Sequence, residues 1–140
     1  MNKVLEIALS QIGIAEIRGK KDNPEVLKYF NEIGFNGEML KDETAWCSAF
    51  ANWCCQRAGE KMTRKLTARS WLKIGRTVHD SPRMGDIVVL WRESMESWKG
   101  HVGFFIRQDE NWIWVLGGNQ NNKVCIKAYH QNRLLDFRRL

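Results

Sequence analysis

The pattern of apolar residues changes at Pro82, and this change limits the folds open to the chain. Before Pro82 the apolar residues recur with helical spacing, whereas after it short β-branched segments are separated by polar turns. Five such segments predict strands: GDIVVLW, HVGFFIRQ, WIWVLGG, KVCIKAYH and LLDFRRL. Helices followed by consecutive strands with short connections predict an α+β fold with an antiparallel sheet.

Four segments before Pro82 carry helical patterns and end signals of their own. In chain order they are Val4 to Ile14, ending near Gly13; NPEVLKYFNEIG, capped by Asn23 and ended by Gly34; a helix from just before Cys47 to Gly59, capped by Thr44 or Asp42; and TARSWLKIG, ended by Gly75. No repeat or linker interrupts the sequence. We therefore expect residues 1–140 to form a single domain, with the N-terminal helices packed on the sheet.

Charge and hydropathy narrow the choice of partners. The net charge of +6, from 22 basic and 16 acidic residues, favours a polyanion such as nucleic acid, an anionic membrane face or an acidic cell-wall polymer. The charges are scattered and form no nucleic-acid-binding motif, so nucleic acid is not an expected partner. No signal peptide or bilayer-spanning segment is apparent. We expect a monomer that is synthesised in the cytoplasm and does not insert stably into a membrane.

The segment ETAWCSAFANWCC holds Cys47, Cys54 and Cys55, and a fourth cysteine is Cys125. Neither the cysteines nor the three histidines have the spacing of a zinc site, so we expect reduced thiols and no cofactor. Cys47 lies in the first turn of the predicted helix, where unpaired N–H groups and the helix dipole favour a thiolate. Cys54 and Cys55 lie two turns further and suit packing. For Cys47, local physics leaves nucleophile and packing residue both open.

A thiolate nucleophile needs a base that later protonates the leaving group, and histidine suits this task near neutral pH. His79 lies in a predicted loop, and His130 ends the fourth predicted strand. His101 opens a strand directly after Gly100, where a side chain can point into a groove at the edge of the sheet. Position alone does not select a base, because a single histidine is more often a structural or surface residue than a catalyst.

The motif GGNQ, at residues 117–120, closes the strand predicted to pair with the strand that His101 opens. If the turn between them has an odd number of residues, such as Asp109 to Asn111, residues whose numbers add to 220 are opposite each other. His101 then faces Asn119, whose amide oxygen can hold one ring nitrogen so that the other meets the thiolate. An even turn puts Asn119 on the other face unless a bulge restores the register. The alternative reading of GGNQ is a simple Gly/Asn turn.

Four motifs together carry a resemblance to a known family: AWCSAFANWC, PRMGDIVVLW, GHVGFF and VLGGNQ. In this order and spacing the chain resembles the CHAP group (cysteine, histidine-dependent amidohydrolases/peptidases) of papain-like cell-wall hydrolases from bacteria and phages. It is most similar to the small single-domain members. The likeness covers roughly Asp42 to the C-terminus, and it implies a papain-like α+β fold.

The resemblance implies Cys47 as the nucleophile, His101 as the general base and acid, and Asn119 as the residue that orients the histidine. Many CHAP proteins have a glutamate two residues before that asparagine, where this chain has Gly117. Either Asn119 completes the triad unaided or the orienting contact comes from elsewhere. For the oxyanion, the backbone N–H of Cys47 is the candidate donor, with Asp42 and Glu43 as nearby polar groups.

The implied substrate is peptidoglycan, cut at an amide bond. The bond is either the one between N-acetylmuramic acid and L-alanine or one within the stem peptide or cross-bridge. The implied place of action is the periplasm or cell wall, reached after phage lysis or by dedicated secretion. A secreted toxin of this kind would also have an immunity or inhibitor protein as a partner.

Three alternatives remain at this stage. The first is a catalytically silent module that binds cell wall or a partner protein. The second is a nucleic-acid-binding module. The third is an enzyme whose site transfers an acyl group to an amine instead of water. The seven tryptophans suggest an aromatic core, an aromatic-lined groove for the substrate, or both. We expect Trp71, Trp91 and Trp98 to line the groove, and the core to hold Trp46, Trp53, Trp112 and Trp114.

Overall fold

The computed structural model describes residues 2–17, 23–40 and 45–140. Within these ranges, α-helices and an antiparallel six-stranded sheet form the main elements, which confirms the predicted α+β class. The helices are α1 (Lys3–Leu9), α2 (Pro24–Asn31) and α3 (Cys47–Ala58). The strands are β1 (Arg76–Thr77), β2 (Ile87–Trp91), β3 (Gly100–Gln108), β4 (Trp112–Gln120), β5 (Lys123–His130) and β6 (Leu134–Arg139).

The strand order in the sheet is β1-β6-β2-β3-β4-β5. Strands β2 to β5 pair with their neighbours in the chain, whereas β6 returns to pair with β2 and β1. All five predicted strands are present. The two-residue strand β1 was not predicted, because so short a segment has no periodicity of its own. None of the described helices has the length and apolar character needed to span a bilayer.

Helix α1 is shorter than predicted, because the chain after it pairs with the sheet. The prediction extended the helix to Ile14, but it ends at Leu9. The N–H of Gly13 donates to the carbonyl of Val124 in β5, and the N–H of Val124 donates to the carbonyl of Ile14. After Leu9 the chain continues as hydrogen-bonded turns, in which Gln11, Ile12 and Ile14 donate to carbonyls three residues earlier, and the bonds to Val124 join this segment to β5.

Helix α2 begins as predicted: the side chain of Asn23 accepts a hydrogen bond from the N–H of Glu25, with Pro24 in the first turn. The segment TARSWLKIG forms a 3-10 helix, Ala68–Lys73, where a helix was predicted. Helix α3 ends at Gly59, whose φ of 72° is the left-handed conformation that glycine adopts readily. Its predicted caps, Thr44 and Asp42, lie outside the described residues.

Helix α3 is the central layer of the molecule. It packs against α1 and α2 on one side and against β3 and β4 on the other, and every residue from Cys47 to Cys55 is buried. A Cβ at Gly118 of β4 would lie 2.8 Å from the Cβ of Phe50 and from Cζ3 of Trp46, so helix and strand need a glycine at this contact. Cys47 is therefore buried together with the rest of this segment.

The register of β3 and β4 combines the two predicted possibilities. Near the turn, Gln108 pairs with Ile113, which corresponds to an even turn. A bulge between Phe105 and Arg107 then shifts the pairing by one residue, so that Phe104 pairs with Leu116 and the numbers add to 220. The bulge therefore restores the register that was predicted for the end of the sheet where His101 lies.

The tryptophans divide differently from the prediction. Trp71 is fully buried rather than lining a groove, and its indole N–H donates to Oγ of Ser48 at 2.9 Å. Trp112, predicted for the core, is exposed on β4. Trp98 is 69% exposed and lines two cavities, as expected for a groove residue.

Candidate active site

Cys47 is the first residue of α3, and its side chain is 2% exposed. The helix N-cap, Trp46, provides no side-chain hydrogen bond, so backbone N–H groups of the first turn remain available. The backbone N–H groups of Val102 in β3, Ser48 and Cys47 itself stabilise the sulfur as an anion. The tip of the helix thus brings the thiol to the strand that His101 opens.

Burial is the largest influence on the Cys47 thiol and raises its pKa above the usual value. The N–H group of Val102 and the Arg92 guanidinium act in the opposite direction and only partly offset it. The sequence predicted a lowered pKa at the helix terminus. That prediction omitted desolvation, which disfavours the charged form when the whole first turn is buried. The thiol is therefore neutral until a base removes its proton.

Cys47 lines a cavity of about 560 Å³. Its lining residues are Ala45, Cys47, Leu66, Thr67, Ala68, Arg92, Trp98, Lys99 and Gly100. Cys54 and Cys55 lie deeper in α3, where burial raises the pKa of Cys54 well above the usual value and that of Cys55 to about 12. Neither lines this cavity, which agrees with the packing role predicted for both.

The ring of His101 is held by Gln120. Nε2 of His101 lies 2.8 Å from Oε1 of Gln120, and both side chains are buried. The amide nitrogen of Gln120 donates to the carbonyls of Val115 and Cys125, at 3.1 and 2.7 Å. These two acceptors fix the orientation of the carboxamide, so its oxygen must face the ring. His101 therefore donates through Nε2–H, and its Nδ1 carries the lone pair.

Burial lowers the pKa of His101 to about 4. The hydrogen bond to Gln120 opposes this shift, whereas the positive charges of Arg133 and Arg92 add to it. The ring is consequently neutral at pH 7 and able to accept a proton at Nδ1. Tyr129 packs beside it, with ring centroids 5.3 Å apart, and Cys47 lies close enough to help burial raise the pKa of Tyr129.

Asn119 was predicted to orient His101, but the structure gives the hydrogen bond to its neighbour Gln120. The register of β4 with β5 shifts between Gly117 and Gln120, and Asn119 has a φ of 60°. This irregularity turns the chain, so that the side chain after Asn119 reaches the ring. In the described residues no hydrogen bond joins the Asn119 side chain to His101.

Gly117 makes room for this contact. A Cβ at Gly117 would lie 2.8 Å from Oε1 of Gln120 and 3.4 Å from Nε2 of His101. The Gln120 carboxamide thus occupies the space that a side chain at position 117 would enter. The sequence signal was the Gly-Asn pair within GGNQ, since both residues tolerate the left-handed backbone conformation. That conformation is typical of a bulge, and a bulge moves the contact to the next residue.

The described residues contain no group of three histidine, cysteine, aspartate or glutamate side chains arranged to hold a metal ion. All four cysteines are free thiols. The thiol of Cys47 lies against the backbone N–H of Val102, the residue that follows the neutral imidazole of His101 in the chain.

A buried helix with a cysteine at its tip, packed on an antiparallel sheet with a histidine at the start of the adjoining strand, is a papain-like α+β arrangement. The family model for the CHAP domain matches residues 39–119, more than half of the 140 residues, so the chain belongs to the CHAP family. The match includes Cys47 and His101 and ends one residue before Gln120.

Members of the CHAP family are in general cysteine- and histidine-dependent amidohydrolases. Membership gives this chain a hydrolase- or amidase-type function related to peptidoglycan. No curated protein matches the chain.

Proposed function

We propose that the protein hydrolyses an amide bond of peptidoglycan, with Cys47 as nucleophile, His101 as general base and acid, and Gln120 as the residue that orients the ring. The observation that carries the proposal is the hydrogen bond from His101 Nε2–H to Gln120, which leaves Nδ1 free to accept the thiol proton. All three side chains come from one chain, so the site needs no second copy.

The reaction proceeds in two acyl-transfer steps. The Cys47 sulfur attacks the amide carbonyl while its proton passes to Nδ1 of His101. Collapse of the tetrahedral intermediate breaks the C–N bond, and the imidazolium returns the proton to the departing amine. Water, deprotonated by the same nitrogen, then attacks the thioester to release the carboxylic acid and the thiol. Backbone N–H groups at the start of α3, that of Cys47 among them, stabilise the oxyanion.

The scissile bond is either the one between N-acetylmuramic acid and L-alanine or one in the stem peptide or cross-bridge. Mass spectrometry of muropeptides after digestion distinguishes them, because only the first reaction separates intact peptides from the glycan. We also propose the cell wall or periplasm as the place of action, because peptidoglycan lies there.

A second candidate function is supported by the burial of the thiol. A buried sulfur with a raised pKa, at 2% exposure, also fits a module that binds cell wall without cutting it. Release of new amines from purified peptidoglycan separates the two functions. A protein that sediments with peptidoglycan but releases no amine is a binding module.

The contact between Gln120 and His101 gives a testable prediction about ring orientation. Gln120→Leu removes the acceptor for Nε2–H, and we expect kcat to fall about 10- to 100-fold with little change in KM. The ring should also lose its fixed tautomer, which the nitrogen chemical shifts of His101 report. Since the hydrogen bond supports the imidazolium, its loss should not raise the His101 pKa.

The matched variant restores an acceptor for Nε2–H, but supplies it from position 117 instead of position 120. In Gly117→Glu/Gln120→Ala, the new side chain enters the space beside Nε2 that the shortened residue vacates. A carboxylate there stabilises the imidazolium and raises the pKa of His101 above its value of about 4. We expect part of the activity to return, with the acid limb of kcat/KM at higher pH. Equal activity and equal pH profiles in both variants would show that Gln120 has only a structural role.

A further inference from the structure

A second cavity, of about 540 Å³, adjoins the one that contains Cys47. Its lining residues are Met62, Thr63, Lys65, Thr67, Arg69, Ser70, Lys73, Ile74 and Trp98. Thr67 and Trp98 line both cavities. The two therefore form one groove, which begins at the sulfur and continues beyond Trp98.

Among the described residues that line the groove, every charged side chain is positive. The cavity at Cys47 contributes Arg92 and Lys99, and the second cavity contributes Lys65, Arg69 and Lys73. Because no acidic side chain is among these lining residues, the five cations make the groove a centre of positive potential.

Two cations of the second cavity, Lys65 and Lys73, are free to meet a ligand. Lys99 pairs with Glu93 at 2.8 Å, and the guanidinium of Arg69 is bound to backbone carbonyls. Lys65 and Lys73 are exposed, and within residues 2–17, 23–40 and 45–140 neither forms an ion pair. Both lysines line the second cavity, which shares Thr67 and Trp98 with the cavity at Cys47.

One wall of the second cavity is attached to the helix that carries the nucleophile. Oγ of Ser48, the residue after Cys47, donates to the carbonyl of Lys65 at 2.6 Å. Nδ2 of Asn52 donates to the same carbonyl at 3.1 Å, and its Oδ1 accepts from the N–H groups of Thr63 and Arg64 at 2.9 Å. The backbone at Lys65 is thus held in a fixed relation to Cys47.

The opposite wall is held by Arg69. Its guanidinium donates to the carbonyls of Lys99, Met95 and Ser94 at 2.8, 2.8 and 2.9 Å. The segment from Ser94 to Lys99 carries Trp98, which is 69% exposed and lines both cavities. The exposed aromatic face therefore stands on an anchored backbone, as a preformed binding surface requires.

We propose that the second cavity is a substrate subsite that receives a carboxylate of the peptidoglycan peptide, with Lys65 and Lys73 as its cations and Trp98 as the apolar surface beside it. The inference rests on the proposed function and extends it: the peptide chain runs from the thiol past Trp98 toward Lys73. A carboxylate-bearing peptide matches the charge of the groove.

The test compares Lys65→Gln/Lys73→Gln with wild type on peptidoglycan stripped of phosphate-containing polymers. We expect the KM for amine release to rise about tenfold with kcat within about twofold, since two exposed charge pairs are lost in binding and not at the reacting bond. The matched control, Lys3→Gln/Lys123→Gln, removes the same charge from α1 and β5 and should keep the wild-type KM. An equal rise in both variants would show a general charge effect and overturn the subsite.

A binding measurement separates this inference from the proposed function. Cys47→Ala protein should sediment with stripped peptidoglycan, and addition of the two lysine substitutions should weaken binding about tenfold. Peptidoglycan with its carboxylates converted to methylamides should bind both forms equally weakly. If wild type releases no amine but this pattern holds, the hydrolase proposal fails and the subsite stands. Amine release with no effect of the lysines or of amidation defeats the subsite alone.

Discussion

Cys47→Ala is expected to lower the release of amines from purified peptidoglycan by roughly 10⁵-fold, because the variant has no atom that can form the thioester. The fold should persist, since the cavity beside the sulfur already provides open space on one side. Quantification of new amines and a thermal unfolding curve measure the two effects. A Cys47→Ala protein that unfolds normally and retains even a tenth of the wild-type rate would exclude the proposed mechanism.

The other cysteines of α3 supply the controls. Cys54→Ala and Cys55→Ala each remove a buried sulfur from the same helix, but neither residue lines the cavity. We expect both to keep the wild-type kcat and to lose about 1–2 kcal/mol of folding free energy from the space that they leave. Loss of activity in these variants without loss of folding would show that the assignment to Cys47 is wrong.

His101→Ala has the second largest expected effect, a fall in kcat of about 10²- to 10⁴-fold. Burial raises the pKa of the Cys47 thiol, so very little thiolate forms at neutral pH without a base to receive the proton. Alkylation of Cys47 by iodoacetamide should then require a higher pH than in wild type. This reaction needs no peptidoglycan, so it reports on the thiol and imidazole even if the substrate has been misassigned.

His79→Ala is the matched control for the imidazole, since His79 is exposed. It should leave both amine release and the pH dependence of alkylation unchanged. In wild type, kcat/KM should fall only as the pH approaches about 4, where the buried His101 gains a proton and can no longer act as a base. Alkylation of Cys47 at the same pH in wild type and His101→Ala would contradict proton transfer between the two.

Much of the fold could be predicted because its signals are local. The strands β2 to β6 each consist of a short β-branched or aromatic segment between turn residues, and such patterns need no knowledge of distant contacts. The end of α1 could not be predicted, because it depends on hydrogen bonds that join Gly13 and Ile14 to Val124, more than a hundred residues away. The return of β6 to β2 is non-local in the same way.

The candidate site shows the same division. Cys47 is the first residue of α3 and His101 the second residue of β3, and the start of an element is visible in the sequence. Their burial was not visible, because it arises from the layers on both sides of α3, and it reverses the expected direction of the thiol pKa. The choice between Asn119 and Gln120 depends on a one-residue bulge, which alternation along a strand cannot reveal.

Because of the irregularity in β4, side chains from two positions, 117 and 120, can reach the same side of the His101 ring. A side chain from position 117 and the carboxamide of Gln120 compete for one volume next to Nε2, and only one of them fits. The residue that orients the imidazole is consequently decided by which strand position fills this volume. In this chain Gln120 fills it, because position 117 holds a glycine.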